Sequence, residues 1–355
     1  QLPYLDRIVI NTATNSLIPT KVGAGDTDLQ ARYLTFDNYT FLKTVGKNKD
    51  FTVRLWRSAE GSRLAIYPNL NAADPVWRSL MRDVRVRRAL SIGINRRDIN
   101  NVIFYGLAKE SANTMISASA LFEPYFRDAW IQFDPKLANR LLDEAGLNRR
   151  DWDGTRLLPD GRRAEVTLDG AGESTEETDS VELILDNFRD LGIRVFYRSA
   201  QRDLFRRRVL IGETVLAIWH GLDNGIAGSD MEPDALAPTL RSQYQWPRFG
   251  QYVETMGQAG DPIDMPEVNE LSNLLRSWQT SATRGEREQI WRRMLRIHAD
   301  NVFSIGIVNS TLQPIVVSRR LRNVPEEGWY SFEPGALLGV YRPDTFWLAP
   351  SDRKS

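Results

Sequence analysis

Cysteine is absent from all 355 residues. That excludes disulfides, thiolate metal sites and cysteine nucleophiles. It also suits an oxidising compartment, where stray thiols are a liability. Histidine is nearly as scarce: only His220 and His298 occur, far apart in the chain. A zinc site would have to fill its remaining positions with carboxylates, so neither a metal nor any other cofactor is expected. Charge of one sign is lacking too, with 46 basic side chains balancing 46 acidic ones. That balance argues against a polyanion-binding surface and so against a nucleic-acid partner. No apolar run approaches the ~18 residues of a membrane span, and no basic-then-apolar leader opens the chain. The chain begins at Gln1, not Met, which is read as a processed or truncated product. Phosphate-loop, dinucleotide-turn and nucleophile-elbow patterns are all missing. These gaps point away from an enzyme. A Ser-His-Asp triad has no fixed spacing, so a hydrolase stays as the rival class.

What is present is a globular composition, 42% apolar, with ten Trp, eleven Tyr and fourteen Phe. Aromatics on this scale concentrate in cores and in ligand clefts. The length allows one large or two modest domains. Helix and strand patterns interleave, predicting a mixed α/β fold. Strands are predicted at Arg7–Ile10, Phe51–Trp56, Leu64–Tyr67, Ile193–Tyr197 and Val215–Trp219, by period-two or short apolar patterns. Leu168 also ends a strand candidate, and Val302–Val308 and Pro314–Val317 complete the α/β pattern. Asp83 caps a helix through Val84, Arg88, Ala89 and Ile92, and Asn95 caps the next, which Gly106 ends. The clearest helix starts at Asp134, with Pro135 in its first turn and Gly146 as its stop. Others carry Val181 to Leu191, closed by Gly192, and Leu204 to Val209. A further pair starts at Pro266 and at the capping box of Thr283 with Glu286. Residues 221–265, rich in Gly, Pro and Asp, read as a long irregular insertion. The aromatic stretch from Leu321 to Leu348 carries little core pattern of its own.

Charge clusters along this framework read mostly as solvated faces. Arg85, Arg87, Arg88, Arg96 and Arg97 are diluted by Asp83 and Asp98, and helical spacing spreads them around the axis. The run Arg206 to Arg208 reads the same way. Glu176 and Glu177 fit a helix start, where carboxylates favour the macrodipole. Glu173 lies just before it and is freer to serve a ligand. His298 reads as a hydrogen-bonded or surface side chain on a capped helix, and His220, at a strand end, as the same or a ligand contact.

Three stretches in order resemble the family 5 extracellular solute-binding proteins, the oligopeptide, dipeptide and nickel-binding group of ABC importers. The first is Asp83-Val84-Arg85-Val86-Arg87-Arg88-Ala89-Leu90-Ser91-Ile92-Gly93-Ile94-Asn95-Arg96. The second runs Phe133-Asp134-Pro135 through Leu141-Leu142-Asp143-Glu144-Ala145-Gly146. The third is the helix ending Leu191-Gly192-Ile193, then a strand, a helix and Trp219 at a strand end. Pro3-Tyr4-Leu5-Asp6-Arg7-Ile8-Val9 is also similar to the family's entry into its second lobe.

The resemblance implies a periplasmic-binding-protein-like lobe of the type II, large cluster C kind. It would have a mixed sheet with flanking helices, and the first lobe would be largely missing. Residues 1–312 would form the second, ligand-binding lobe, and 313–355 a segment returning to the first. The implied function is the solute-binding component of an ABC importer, exported to the periplasm and monomeric. It would take a peptide or peptide-like solute in an interlobe cleft and pass it to the membrane permease. An opine or sugar conjugate is the alternative solute. Trp219 through Asp223 and Asn224 resembles the family's turn whose Asp meets an α-ammonium, with one residue more than the usual spacing. No cation stands at Gly170-Ala171-Gly172-Glu173, where dipeptide binders carry an Arg. Ligands of α/β sheets sit beyond the carboxyl ends of strands. The expected ligand-facing set is therefore Trp219, Asp223, Asn224, Gly172 and Glu173, with Trp246, Phe249 or Tyr252 from the insertion.

Overall fold

The computed structural model describes residues 2–330 and 341–350. Its strands, in chain order, are β1 (Leu29–Gln30), β2 (Phe51–Ser58), β3 (Ala65–Pro68), β4 (Lys109–Glu110), β5 (Glu165–Gly170), β6 (Arg194–Ser199), β7 (Leu216–Trp219), β8 (Ile305–Gly306), β9 (Val308–Asn309), β10 (Leu312–Ser318), β11 (Leu321–Arg322), β12 (Trp329–Tyr330) and β13 (Trp347–Leu348). Its helices are α1 (Ile18–Ala24), α2 (Tyr39–Gly46), α3 (Pro75–Arg82), α4 (Val84–Ile92), α5 (Arg96–Ile103), α6 (Pro124–Asp128), α7 (Pro135–Glu144), α8 (Thr175–Asp190), α9 (Arg202–Leu210), α10 (Pro247–Glu254), α11 (Pro266–Thr280) and α12 (Arg284–Asn301).

The contacts divide the chain into two units. One comprises residues 1–60 with 310–355, the other residues 61–309. This grouping cuts across the expected division at 312/313, because residues 1–60 join the carboxyl-terminal segment. In the first unit β10 pairs antiparallel with β2 over seven residue pairs, and the sheet runs β1-β10-β2-β12. The apolar side chains of Trp56, Ile315, Val317 and Phe346 close over it. No strand forms at Arg7–Ile10, where Ile8, Val9 and Ile10 are exposed. A strand needs a neighbour for its N–H and C=O groups, and none of the described residues pairs with this segment.

The second unit is built on a five-stranded mixed sheet, β6-β5-β7-β3-β8. β5 runs parallel to β6 and β7, while β3 runs antiparallel to β7 and β8. Strand alternation gives the sheet two apolar faces. Ile66, Leu168, Leu216 and Ile218 enter the large core with α4, α7, α8 and α12. Ala65, Tyr67 and Ala217 face the other way, onto Phe205 and Val209 of α9 and Tyr244.

The capping residues read from the sequence cap as expected. Asp83 accepts from the Arg85 N–H, Asp134 from the Leu137 N–H, and Thr283 and Glu286 complete a capping box. Three expectations are corrected. Val302 closes α12 in a left-handed conformation, so 302–308 is two short strands and not one. The 221–265 region contains a 3-10 turn at Asp234–Leu236 and the helix α10. Trp246, at the start of α10, and Phe249, within it, are core residues there. Arg87 and Arg96 are buried and not on a solvated face. The Arg87 guanidinium donates to the Asn301 and Met81 oxygens, both at 2.7 Å, and lies over the Phe303 ring. Arg96 donates to the main-chain oxygens of Gly306 and Ser91 at 2.8 Å and to the Ser91 hydroxyl. Each serves carbonyls at or near helix and strand ends that would otherwise lack a donor. Burial pushes Arg87 down to about 10 and Arg96 down to about 9.

Candidate functional site

The carboxyl ends of β5 and β7 lie at one edge of the second unit's sheet, with the amino end of β3 beside them, since Ala65 pairs with Trp219. On the α9 face of this edge lies a cavity of about 230 Å³. Tyr67, Trp219 and Tyr244 form its aromatic wall. Phe205 stacks on Tyr244 with ring centroids 5.2 Å apart, and the two enclose Trp219 at about 6 Å. The polar lining includes His220, Asp223, Arg206, Asn113, Gln243, Gln245 and His298.

The loop after β7 is held from several sides. The Tyr67 hydroxyl donates to the His220 oxygen at 2.6 Å. Asn113 accepts the Leu222 N–H at 2.8 Å and donates to the Ser304 hydroxyl at 3.0 Å. The Gly221 N–H donates to the Ser62 oxygen, and the Gly61 N–H to the Leu222 oxygen. Gly221 is required by this close approach: a Cβ there would lie 2.3 Å from Asn113 Oδ1 and 2.6 Å from the Ser62 nitrogen. The result is a fixed turn that leaves the Asp223 carboxylate exposed at the mouth.

Of the predicted ligand-facing residues, Trp219 and Asp223 line this cavity together. The others do different work. Trp246 and Phe249 are fully buried in the core. Trp246 packs edge-on against His298 and Phe303 and donates its indole N–H to Gln243. They were expected to face ligand as part of the insertion that follows β7. In the structure α10 turns both rings inward. Tyr252, on the same helix, is half-buried away from the cavity. Asn224 shapes its own turn, accepting the Ile226 N–H and donating to Met231 Sδ. The Gly172 N–H, on a backbone with φ +63°, points to Glu177 at 2.9 Å, not to open space. Glu173 is ion-paired to Arg202, whose guanidinium lies 5.2 Å over the Trp219 ring. It therefore supports the wall from behind and is not free. Glu176 and Glu177 are buried, paired with Arg63 at 2.8 Å and with the Tyr197 hydroxyl at 2.6 Å. Burial beside Glu177 pushes the Tyr197 hydroxyl up.

Sequence reasoning missed Tyr67, Tyr244, Arg206, Gln245 and Asn113. Tyr67 carried a usable signal. It alternates with Ile66, so it had to face away from the main core. The others come from loops and helices whose placement no local pattern states. His298 also lines the cavity, its Nε2 2.8 Å from the Leu236 oxygen. Burial pushes it from its ordinary 6.5 down to about 4. Among the described residues no three His, Asp or Glu side chains converge on a possible metal position, and no helix is long and apolar enough to cross a membrane.

A sheet edge with an aromatic-walled cavity beyond parallel strand ends is a ligand-binding arrangement. The chain belongs to the bacterial extracellular solute-binding proteins of family 5, whose middle region matches residues 1–246. Members of this family are binding proteins of transport systems, not enzymes. The chain is 24% identical over 201 residues, 55% of its length, to a probable ABC transporter-binding protein of Deinococcus radiodurans, and covers 33% of that protein. Among solved structures it resembles the oligopeptide-binding protein OppA at 27% identity with a TM-score of 0.74, covering 99% of this chain and 57% of that one. It also has the fold of AppA from Bacillus subtilis, solved with a nonapeptide (13% identity, TM-score 0.69, 95% of this chain, 59% of that one). The same holds for MelB from Agrobacterium fabrum, solved with stachyose (18%, 0.72, 100% and 54%). The chain thus spans a third of this curated relative and a little over half of these solved ones.

Proposed function

We propose that the second unit carries the solute-recognition surface of an extracytoplasmic binding protein. Its solute is a peptide or peptide-like molecule, delivered to the membrane permease of an ABC importer. The observation that carries this reading is the cavity after β7. There the Trp219 face and the Asp223 carboxylate lie at one opening, on a turn fixed by Tyr67 and Asn113. An apolar side chain would lie on the aromatic wall, and an ammonium would donate a charge-assisted hydrogen bond to the Asp223 carboxylate. The oligopeptide-binding relative at 27% identity supports the peptide choice. Residues 61–309 are assigned to the solute-bearing lobe, and residues 1–60 with 310–355 to its companion. We further assign the protein to the periplasm, as a monomer.

A sugar or sugar conjugate is the second reading, favoured by the neutral amides among the cavity's lining side chains. Native mass spectrometry of the full-length protein, looking for co-purified solute, separates the two. A co-purified peptide supports the first reading and an oligosaccharide the second. Catalytic turnover of peptide or ester panels by purified protein would overturn both in favour of a hydrolase.

A further inference from the structure

The inner end of the cavity differs in chemistry from its mouth. Arg206 and Asp223, its charged side chains, are exposed. Deeper in, the polar groups are neutral, and two of them are unfilled. Gln245 is 6% exposed and lines the cavity, yet its side-chain amide has no hydrogen bond among the described residues. Only its main-chain oxygen is used, accepting from the Leu70 N–H at 2.8 Å. Gln243, two residues earlier, shows the contrast. Its oxygen accepts from Thr239, Leu240 and Trp246, and its nitrogen donates to Ala237. The amide is thus left to water or to a solute, and a solute group that displaced the water would have to match its donor and acceptor.

His298 is the second unfilled group. Its Nε2 meets the Leu236 carbonyl at 2.8 Å. A carbonyl only accepts, so Nε2 carries the proton and Nδ1 keeps its lone pair. That Nδ1 has no partner among the described residues. Trp246 and Phe303 hold the ring edge-on at 5.7 and 5.5 Å.

We propose that Gln245 and His298 form an uncharged recognition floor, which takes a neutral donor–acceptor group of the solute and rejects an ammonium or carboxylate. The Gln245 amide offers a donor and an acceptor, and His298 Nδ1 an acceptor. A carboxamide or a hydroxyl satisfies that set. A charged group there would exchange water for neutral partners, because the cavity's charged side chains, Asp223 and Arg206, are exposed. At about 230 Å³, the cavity is smaller than the ~300–1,000 Å³ of a complete small-molecule pocket. It therefore suits one side chain or one sugar ring. This inference rests on the reading of the cavity as the solute site.

The test is calorimetric titration of the full-length protein with the tripeptides Ala-Gln-Ala, Ala-Glu-Ala and Ala-Lys-Ala and with maltotriose. We expect the Gln peptide or maltotriose to bind at least about tenfold tighter than either charged peptide. Preference for the Gln peptide identifies a carboxamide, and preference for maltotriose a hydroxyl. Gln245→Leu should shrink the gap to about threefold or less, the loss expected when a buried hydrogen-bonding partner is removed. A nitrogen-15 measurement needs no substitution: saturation with the preferred probe should move the His298 Nδ1 resonance upfield, as a new hydrogen bond to it requires. The floor is overturned, with the site reading intact, if Trp219→Ala abolishes binding while Gln245→Leu keeps the preference and the Nδ1 resonance does not move. Both fall if no probe binds or if binding is unchanged in Trp219→Ala.

Discussion

The Tyr67 hydroxyl donates to the main-chain oxygen of His220 at 2.6 Å, joining the strand β3 to the turn that follows β7. Tyr67 is buried, so its loss leaves that oxygen short of a partner. Tyr67→Phe is expected to lower stability by about 1 kcal/mol and to loosen the turn. Urea denaturation and solute titration, run together, check this. A variant with wild-type stability and affinity would show that the turn is held by Asn113 and Gly221 alone.

Asp223 is exposed at the cavity mouth on that same turn. Asp223→Ala should leave the folded state intact and weaken a cationic solute by about 1.5–3 kcal/mol, the worth of a charge-assisted bond. An uncharged solute should lose much less. Affinities of a matched amine and N-acetylated pair, measured against both proteins, give the answer, and equal losses for the pair would refute the role.

His298 is expected to make the protein acid-sensitive. Its ionisation falls from an ordinary 6.5 to about 4 in the folded state. Between these values the unfolded chain binds a proton that the folded chain does not. The His298 contribution is therefore full above pH 6.5, declines as pH falls through the window, and is lost below about 4. The total is on the order of 3 kcal/mol. His298→Gln should flatten the pH dependence of unfolding free energy between pH 6.5 and 4. A variant with the wild-type slope would assign the acid sensitivity to other groups.

Arg96 should be among the least replaceable side chains of the second unit. It serves the Gly306 oxygen and both oxygens of Ser91 from a buried position. Arg96→Ala is expected to cost at least about 3 kcal/mol, because several buried acceptors lose their donor together. Arg96→Lys should recover less than half, since a compact ammonium cannot span the fork geometry. Thermal unfolding of the two variants decides it. Full rescue by lysine would mean that the charge alone matters.

Local grammar made much of the fold legible. Asp83, Asn95, Asp134 and Thr283 each cap within three residues of themselves, so a short window holds the whole interaction. The site was legible only in part. Trp219 and Asp223 follow from a strand end and the turn after it. Gln245 and His298 line one cavity from positions more than fifty residues apart in sequence. The burial of Arg87 and Arg96 was hidden for the same reason. Their acceptors at Asn301 and Gly306 lie more than two hundred residues away, while nearby Asp83 and Asp98 made the arginines look solvated.

The sequence by itself determined the family resemblance, the mixed α/β class, the capped helices and the strand that ends in Trp219. Periodicity and capping act between neighbours along the chain, and a sequence displays neighbours. Tertiary structure alone decided which aromatics are wall and which are core. Trp219 ends a predicted strand and Trp246 lies in the stretch read as irregular, yet both were expected to face ligand. One is turned by α10 against His298 and Phe303, and the other stands at a sheet edge with Tyr67 and Tyr244 beside it. The physical reason is that a side chain's role depends on what packs against it. For both tryptophans those partners come from distant elements, brought together only when the sheet and its helices have closed on one another.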